Sequence, residues 1–204
     1  MGTVKSLLLG MCFVLGACTS QTSTVQTTEK GTQWEWQNGT IVVKTPERPA
    51  GQKSVLGLTT PKLEAVRVGF VGLGMRGPGA VERFTYIPGT QVVALCDYEE
   101  ARADKCQELL KKASMPKAAV YSGDKGYEEL CKRDDIDLVY IAADWLHHFP
   151  VAKCALENGK NVAIEVPSAM NLQECWDLIN LSESTRKHCF ILENCCYDWF
   201  EMNT

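Results

Sequence analysis

The stretch "VGFVGLGMRGPG" (residues 68–79) decides how the rest of the chain is read. It continues an apolar, β-branched run, "VRVGFVG" (66–72), of the kind that forms a strand buried on both faces of a sheet. It then presents Gly72-x-Gly74-x-x-Gly77, followed at 79–86 by a short helix candidate. Gly72 permits a tight turn, Gly74 lets backbone approach a pyrophosphate, and Gly77 allows close packing of helix on strand. The helix N-terminus then offers its free N–H groups to phosphates. A second buried strand, "QVVALCD" (91–97), ends on Asp97, 20 residues beyond Gly77. Strand, glycine turn, helix, strand and terminal acid, in that order, are the context a dinucleotide site requires; the alternative is a glycine-rich turn with no ligand. Asp97 is placed to accept from both ribose hydroxyls and to repel a 2′-phosphate, which favours NAD over NADP. Arg76, in the same turn, pulls the other way.

Outward from this unit the pattern repeats. Further strands are expected at "AAVYS" (118–122), "DLVYIAA" (137–143), "NVAIEV" (161–166) and "CFILEN" (189–194). Helices are expected from Glu99 to Ala113, over "KGYEELCKR" with Asp124 as its cap, and from Phe149 to Asn158 with Gly159 beyond its end. A last one runs to Lys187 from the capping-box pair Asn171 and Glu174. Six short apolar strands separated by helices give an α/β fold: a doubly wound parallel Rossmann sheet with ligands at the strand carboxyl ends. The expected divisions are an N-terminal arm at 34–64, the dinucleotide domain at 65–194, and at 195–204 the start of a second domain that the chain otherwise lacks. On this reading the chain is a piece of a longer enzyme.

The N-terminus carries a different message. Lys5 precedes a run from Ser6 to Ala17, apolar or small and only 12 residues long, short for a membrane span and suited to a signal sequence. It ends in Leu15-Gly16-Ala17-Cys18, which resembles the bacterial lipobox, where the cysteine is lipidated and becomes the new N-terminus. This predicts a signal peptide at 1–17, a lipid anchor on Cys18, a Thr/Ser/Gln-rich tether at 18–33, and a place in the bacterial cell envelope, facing the periplasm or the surface. An ordinary signal peptide and a fortuitous apolar start are the alternatives. The outer membrane is a guess, since Thr19 and Ser20 give no acidic retention signal. Of ten cysteines, most of the eight beyond Cys18 sit in apolar runs, which suits buried free thiols better than disulfides. With no CxxC pair there is no support for zinc. A net charge of −4 without a basic run excludes a nucleic-acid footprint.

The segment "AADWLHHFPVAKCALENGKNVAIEVPSAMNLQECWDLI" (142–179) resembles the second half of the Rossmann domain of the Gfo/Idh/MocA oxidoreductases. Most of that family has Glu-Lys-Pro after the fifth strand; this chain has Glu165-Val166-Pro167. With "RPAGQKSVLGL", "GLGMRG" and "TRKHCFILENCCYDWFE", it resembles one branch, glycoside hydrolase family 109, whose activity is that of an α-N-acetylgalactosaminidase. The resemblance implies NAD contacts at Met75, Arg76 and Asp97, at Trp145, Leu146, His147 and His148, at Glu165 and Val166, and at Asn194. It implies His148 and Tyr197 as candidate catalytic groups. The bland readings stand beside these: a surface His147, a structural His148, a Glu165 bonded to a backbone turn, a core Tyr197, and a Trp176 that packs its helix. Valine at 166 removes the lysine that relays a proton in the dehydrogenases. The resemblance implies a cycle in which NAD oxidises the sugar at C3, the glycosidic bond leaves by elimination across C1 and C2, water adds, and C3 is reduced again. The cofactor is then never consumed, which suits an exported enzyme with no cofactor pool. A sugar oxidoreductase and a non-catalytic NAD-binding module are the competing readings. The implied partners are a glycoside substrate and, through the second domain, a possible second copy of the chain.

Overall fold

The computed structural model describes residues 26–27 and 33–203. The signal peptide at 1–17, Cys18 and nearly all of the tether therefore lie outside the described residues. The chain divides into two units, residues 1–44 and 45–204.

The first unit contains strands β1 (Gln26–Thr27), β2 (Gln33–Gln37) and β3 (Thr40–Val43), paired antiparallel in that order. Asn38 and Gly39 join β2 to β3 with φ of 51° and 78°. Two consecutive positive φ values define the tight hairpin turn whose twist matches its strands, and Asn-Gly is its usual sequence. The expected arm at 34–64 is thus corrected: its first part is a hairpin. Its second part belongs to the other unit and is tied to a helix there.

The second unit is a six-stranded sheet in the order β6-β5-β4-β7-β8-β9, every pair parallel. The strands are β4 (Val66–Val71), β5 (Thr90–Asp97), β6 (Ala119–Ser122), β7 (Leu138–Ile141), β8 (Asn161–Ile164) and β9 (Cys189–Ile191). Helices α1 (Gly77–Phe84), α2 (Glu100–Lys112), α3 (Gly126–Cys131), α4 (Trp145–Glu157) and α5 (Leu172–Thr185) alternate with them. Side chains alternate across a strand, so each strand feeds both faces. Phe70, Leu95, Tyr140 and Ala163 pack with Ala80, Val81, Ala103 and Leu110 of α1 and α2. Val71, Val139, Ile141, Val162 and Ile164 pack with Leu130, Val151, Ala155 and Leu178 of α3, α4 and α5. At the amino end of the sheet, Arg67 donates to both carboxylate oxygens of Asp137 at 2.9 and 2.7 Å, joining β4 to β7.

Three local expectations are corrected. Asp124 does not cap α3; the residue before it is Lys125, which makes no side-chain capping bond. α4 begins at Trp145 and not at Phe149, with Pro150 inside it. The missing N–H of a proline and its restriction of the preceding residue argue for a helix start close to it. Asp144 overrides that argument: its carboxylate accepts from Leu146 N at 3.0 Å and caps the helix one turn earlier. Of the eight cysteines, most of which were expected to be buried free thiols, Cys96, Cys106 and Cys131 are buried, Cys154 and Cys189 are half-buried, and Cys175, Cys195 and Cys196 are exposed; all eight are free thiols. The Asn171 cap forms as expected, its Oδ1 accepting from Glu174 N at 3.0 Å, while the Glu174 carboxylate accepts from Met170 N.

Residues 48–54 form a strap along α5. Arg48 makes a two-pronged ion pair with the buried Glu183 at 2.8 and 3.0 Å. Gln52 donates to Glu183 and Asn180, and Arg186 donates to the carbonyls of Lys53 and Ser54.

Candidate functional site

The chain runs from β4 outward to β6, then crosses back to β7 on the other side of β4. The carboxyl ends of β4 and β7 are where the strand order reverses, and a crevice must open there because the flanking connections leave in opposite directions. A cleft of about 550 Å³ occupies that place, a size suited to a small-molecule ligand.

One wall is the glycine turn. Gly72 has φ of +90°, and a Cβ there would lie 2.3 Å from Ala143 N and 2.4 Å from Ala142 C. The turn is therefore pressed against the backbone that follows β7, and only glycine fits. At Gly77 a Cβ would stand 2.1 Å from the carbonyl oxygen of Gly72, so the start of α1 lies directly on the turn. Gly74 differs: the nearest atom to a Cβ there is Arg102 Nη1 at 3.6 Å, an ordinary contact. Nothing in the protein requires glycine at 74, and the open space above it faces the cleft.

Asp97 is 5% exposed. Its Oδ2 accepts from Leu73 N at 2.6 Å, and its Oδ1 accepts from Glu99 N at 2.9 Å with Arg102 Nη1 at 3.4 Å. The acid at the end of β5 thus clamps the glycine turn while lining the cleft. Arg102 and Tyr98, which the sequence reading passed over, line the same end, and Arg102 also pairs with Glu99 at 2.9 Å.

The opposite wall is the first turn of α4. Trp145, His147 and His148 all line the cleft. His147 Nδ1 is 2.6 Å from Asp144 Oδ2. Burial pushes the Asp144 carboxyl up, but His147 and the backbone N–H groups of Leu146 and His147 outweigh it and hold the group below its ordinary value. His148 is buried, with Nδ1 2.6 Å from the carbonyl oxygen of Pro167 and Nε2 2.9 Å from that of Ala143. Its ring ties the segment after β7 to the segment after β8, where the Val166–Pro167 peptide is cis. Glu165 and Val166 complete the cleft. Glu165 is 8% exposed and accepts from the Tyr140 hydroxyl at 2.8 Å.

The structure therefore brings together Gly72, Gly74, Met75, Arg76, Asp97, Trp145, His147, His148, Glu165 and Val166 around one cleft. Gly77 sits beneath the turn, where its packing role puts it. Leu146 is exposed at the start of α4 and does not line the cleft, and neither does Asn194, itself exposed, which opens a 3-10 turn over Asn194–Tyr197. Tyr197 ends that turn. Trp176 lies on α5, with its indole Nε1 buried and without a hydrogen-bond partner. Among the described residues no group of three or more His, Cys, Asp or Glu side chains could hold a metal ion.

The site has the features that hold a dinucleotide: a glycine turn with open space above Gly74, two helix N-termini, and a buried acid at the ribose position. Comparison with known proteins agrees. Residues 66–192 match the model of an oxidoreductase family with an NAD-binding Rossmann fold, Gfo/Idh/MocA. Glycosyl hydrolase family 109 protein 4 of Phocaeicola vulgatus is 81% identical over all of this chain, which spans 40% of that protein's length. A family 109 protein of Porphyromonas gingivalis is 53% identical over 98% of the chain, which spans 42% of that protein. Among solved structures, a Synechocystis biliverdin reductase in complex with biliverdin and NADP+ is 26% identical with a TM-score of 0.56, over 65% of this chain and 39% of that one. A myo-inositol dehydrogenase from Lactobacillus casei, at 24% identity and a TM-score of 0.59 over 66% of this chain and 38% of that one, shares the fold. The chain spans about 40% of the length of the curated relatives it matches. From its matched family model and from the names of its relatives, this chain belongs to the Gfo/Idh/MocA oxidoreductase family, in the branch of glycosyl hydrolase family 109.

Proposed function

We propose that this chain is the NAD-holding part of a glycosidase that acts on α-N-acetylgalactosaminides by a redox-neutral oxidation, elimination, addition and reduction. The observation that carries the reading is Val166: it lines the cleft next to Glu165, where the dehydrogenases of the family that the sequence resembles carry a proton-relaying lysine. A valine side chain neither donates nor accepts a proton, so a net alcohol dehydrogenase using that position is disfavoured. The names of relatives as similar as 81% support the glycosidase side of the reading.

NAD, when bound, supplies a reversible two-electron acceptor. The chain's own residues bind and orient it. The N–H groups of the glycine turn and the start of α1 face its phosphates, with Met75 and Arg76 on the turn. Asp97 holds the ribose end and favours NAD over NADP, while the first turn of α4 and Glu165 close the other end. His148, whose ring lies between the carbonyls of Pro167 and Ala143, acts by donating to one of them and so bracing a wall of the cleft. Tyr197, on the turn that follows β9, is the candidate proton carrier. A Cys18 lipid anchor in the bacterial envelope completes the proposal, and a closed redox cycle needs no cofactor pool there.

The test grafts this chain in place of the matching segment of its Phocaeicola vulgatus relative and supplies a C2-deuterated α-N-acetylgalactosaminide with substoichiometric NAD. Loss of the label to water over many turnovers, without accumulated NADH, is the expected result. Full retention at C2 would refute elimination, and NADH formed in proportion to substrate would establish the oxidoreductase instead.

A further inference from the structure

We propose that Tyr140 is a positioning residue of the cleft: its hydroxyl holds one oxygen of the Glu165 carboxylate and so leaves the other to meet the bound dinucleotide. This rests on the cleft being the NAD site.

Tyr140 lies in β7 and pairs in register with Ala163 of β8. Glu165 follows two residues after Ala163, and alternate residues share a face, so the tyrosine ring and the carboxylate stand on the same side of the sheet. The ring has little freedom. It stacks on Phe70 at 5.1 Å and 29°, and meets the edge of Phe84 of α1 at 5.8 Å and 82°. The position of the hydroxyl is thus set by the apolar core between the sheet and α1. From there it donates to Glu165 Oε1 at 2.8 Å, with both residues under a tenth exposed. Burial first, and then the bond to Glu165, push the phenol up to about 12, so it remains a donor throughout the range in which the protein works. The positive charge of Arg83, on α1, opposes the upward shift of the phenol. A carboxylate taken out of water is held in one place only if its lone pairs are met. Here that partner is a hydroxyl anchored in the core between the sheet and α1.

Three variants test this in the chain itself. Tyr140→Phe keeps the ring stack and removes only the hydroxyl; Arg83→Gln removes an exposed positive charge that acts on that hydroxyl; Glu165→Gln removes the acceptor charge. In chain uniformly labelled with 13C-glutamate and free of NAD, the carboxylate infrared band assigned to Glu165 by its absence in Glu165→Gln should shift in Tyr140→Phe, which mere loss of packing would not produce. In calorimetric titration with NAD, Tyr140→Phe should weaken binding roughly tenfold and Arg83→Gln about two- to threefold. Neither should weaken it further in the Glu165→Gln background. An unmoved infrared band, or losses that add to that of Glu165→Gln, would overturn the proposal while leaving the NAD site standing. Failure of the unmodified chain to bind NAD would remove the site reading, and this role with it. Should Tyr140→Phe fail to fold, Arg83→Gln alone and in the Glu165→Gln background decides by the same criterion.

Discussion

Gly72 and Gly74 are two residues apart in one turn, and alanine should damage them in different ways. At Gly72 an added Cβ meets Ala143 N at 2.3 Å, Ala142 C at 2.4 Å and Ala142 O at 2.5 Å. All three are backbone atoms of the segment leaving β7, which is itself fixed by the bond from Ala142 N to Val71 O at 2.8 Å. There is no flexible side chain to move aside, so the turn and the segment must separate. Holding a non-glycine residue at φ of +90° costs about 1–2 kcal/mol, and forcing atoms into a packed contact adds about 1–3. Gly72→Ala should therefore lose about 2–5 kcal/mol of stability in urea unfolding. At Gly74 the same methyl group finds only Arg102 Nη1 at 3.6 Å, so Gly74→Ala should unfold within about 0.5 kcal/mol of the unmodified chain. Its cost should appear only on titration with NAD, as weaker binding, because its Cβ takes the space the pyrophosphate needs. A Gly72→Ala chain as stable as the unmodified one would refute the packing argument. A Gly74→Ala chain that binds NAD undiminished would refute the placement of the phosphates.

Other outcomes follow from the same geometry. Asp97→Ala should lower stability by about 1–3 kcal/mol as well as NAD affinity, because Leu73 N is left buried without its acceptor; titration and urea unfolding together check it, and an unchanged midpoint would make Asp97 a ligand contact alone. The Arg67 bonds hold the Asp137 carboxyl below its ordinary value. Its stabilising effect is therefore full above the usual aspartate pKa of about 3.9 and lost as pH falls through the lower folded value, so Asp137→Asn should flatten the acid limb of the stability curve. Arg48→Ala removes the ion-pair partner of the buried Glu183, leaving it only the Gln52 bond, and should speed limited proteolysis within residues 45–58 without altering NAD affinity. In expressing bacteria, radiolabelled palmitate should enter the purified chain and not its Cys18→Ser variant; equal labelling of both would reject the anchor.

What the sequence made legible was whatever depends on local pattern. Each of the six parallel strands is a short apolar run, and each was found within a few residues of its expected bounds. The overruns have one cause: "DLVYIAA" stays apolar through Ala143, but β7 ends at Ile141 because the chain turns there toward the Asp144 cap. In β2 and β3 the signal was present and passed over. Trp34, Trp36, Ile41 and Val43 flank Asn38-Gly39 in a hairpin pattern, masked by the polar residues between them. Tyr140 was beyond local reading. In "DLVYIAA" it is one more strand former, and only the register of β7 on β8 places its hydroxyl against Glu165. Arg102 lies on the inner side of α2, close to Asp97, for a reason equally remote from any motif.

The residues nominated for ligand binding turn out to be bound first to the protein. Asp97 holds Leu73 and Glu99, His148 joins Ala143 to Pro167, and Glu165 rests on Tyr140. A motif acid that waited free for a ribose would have to be ordered when the ligand arrived, and that ordering would be subtracted from the affinity. Here the folding of the sheet has already done it. The same bonds bear on the valine. Glu165, its neighbour, has one carboxylate oxygen committed to Tyr140, and the His148 ring lies between two backbone carbonyls, at 2.6 and 2.9 Å. The cleft wall around Val166 is thus tied to the protein before a ligand arrives. Under the proposed function, a dinucleotide would meet a wall whose acid, histidine and glycine turn are already ordered, so little ordering is left to subtract from its affinity.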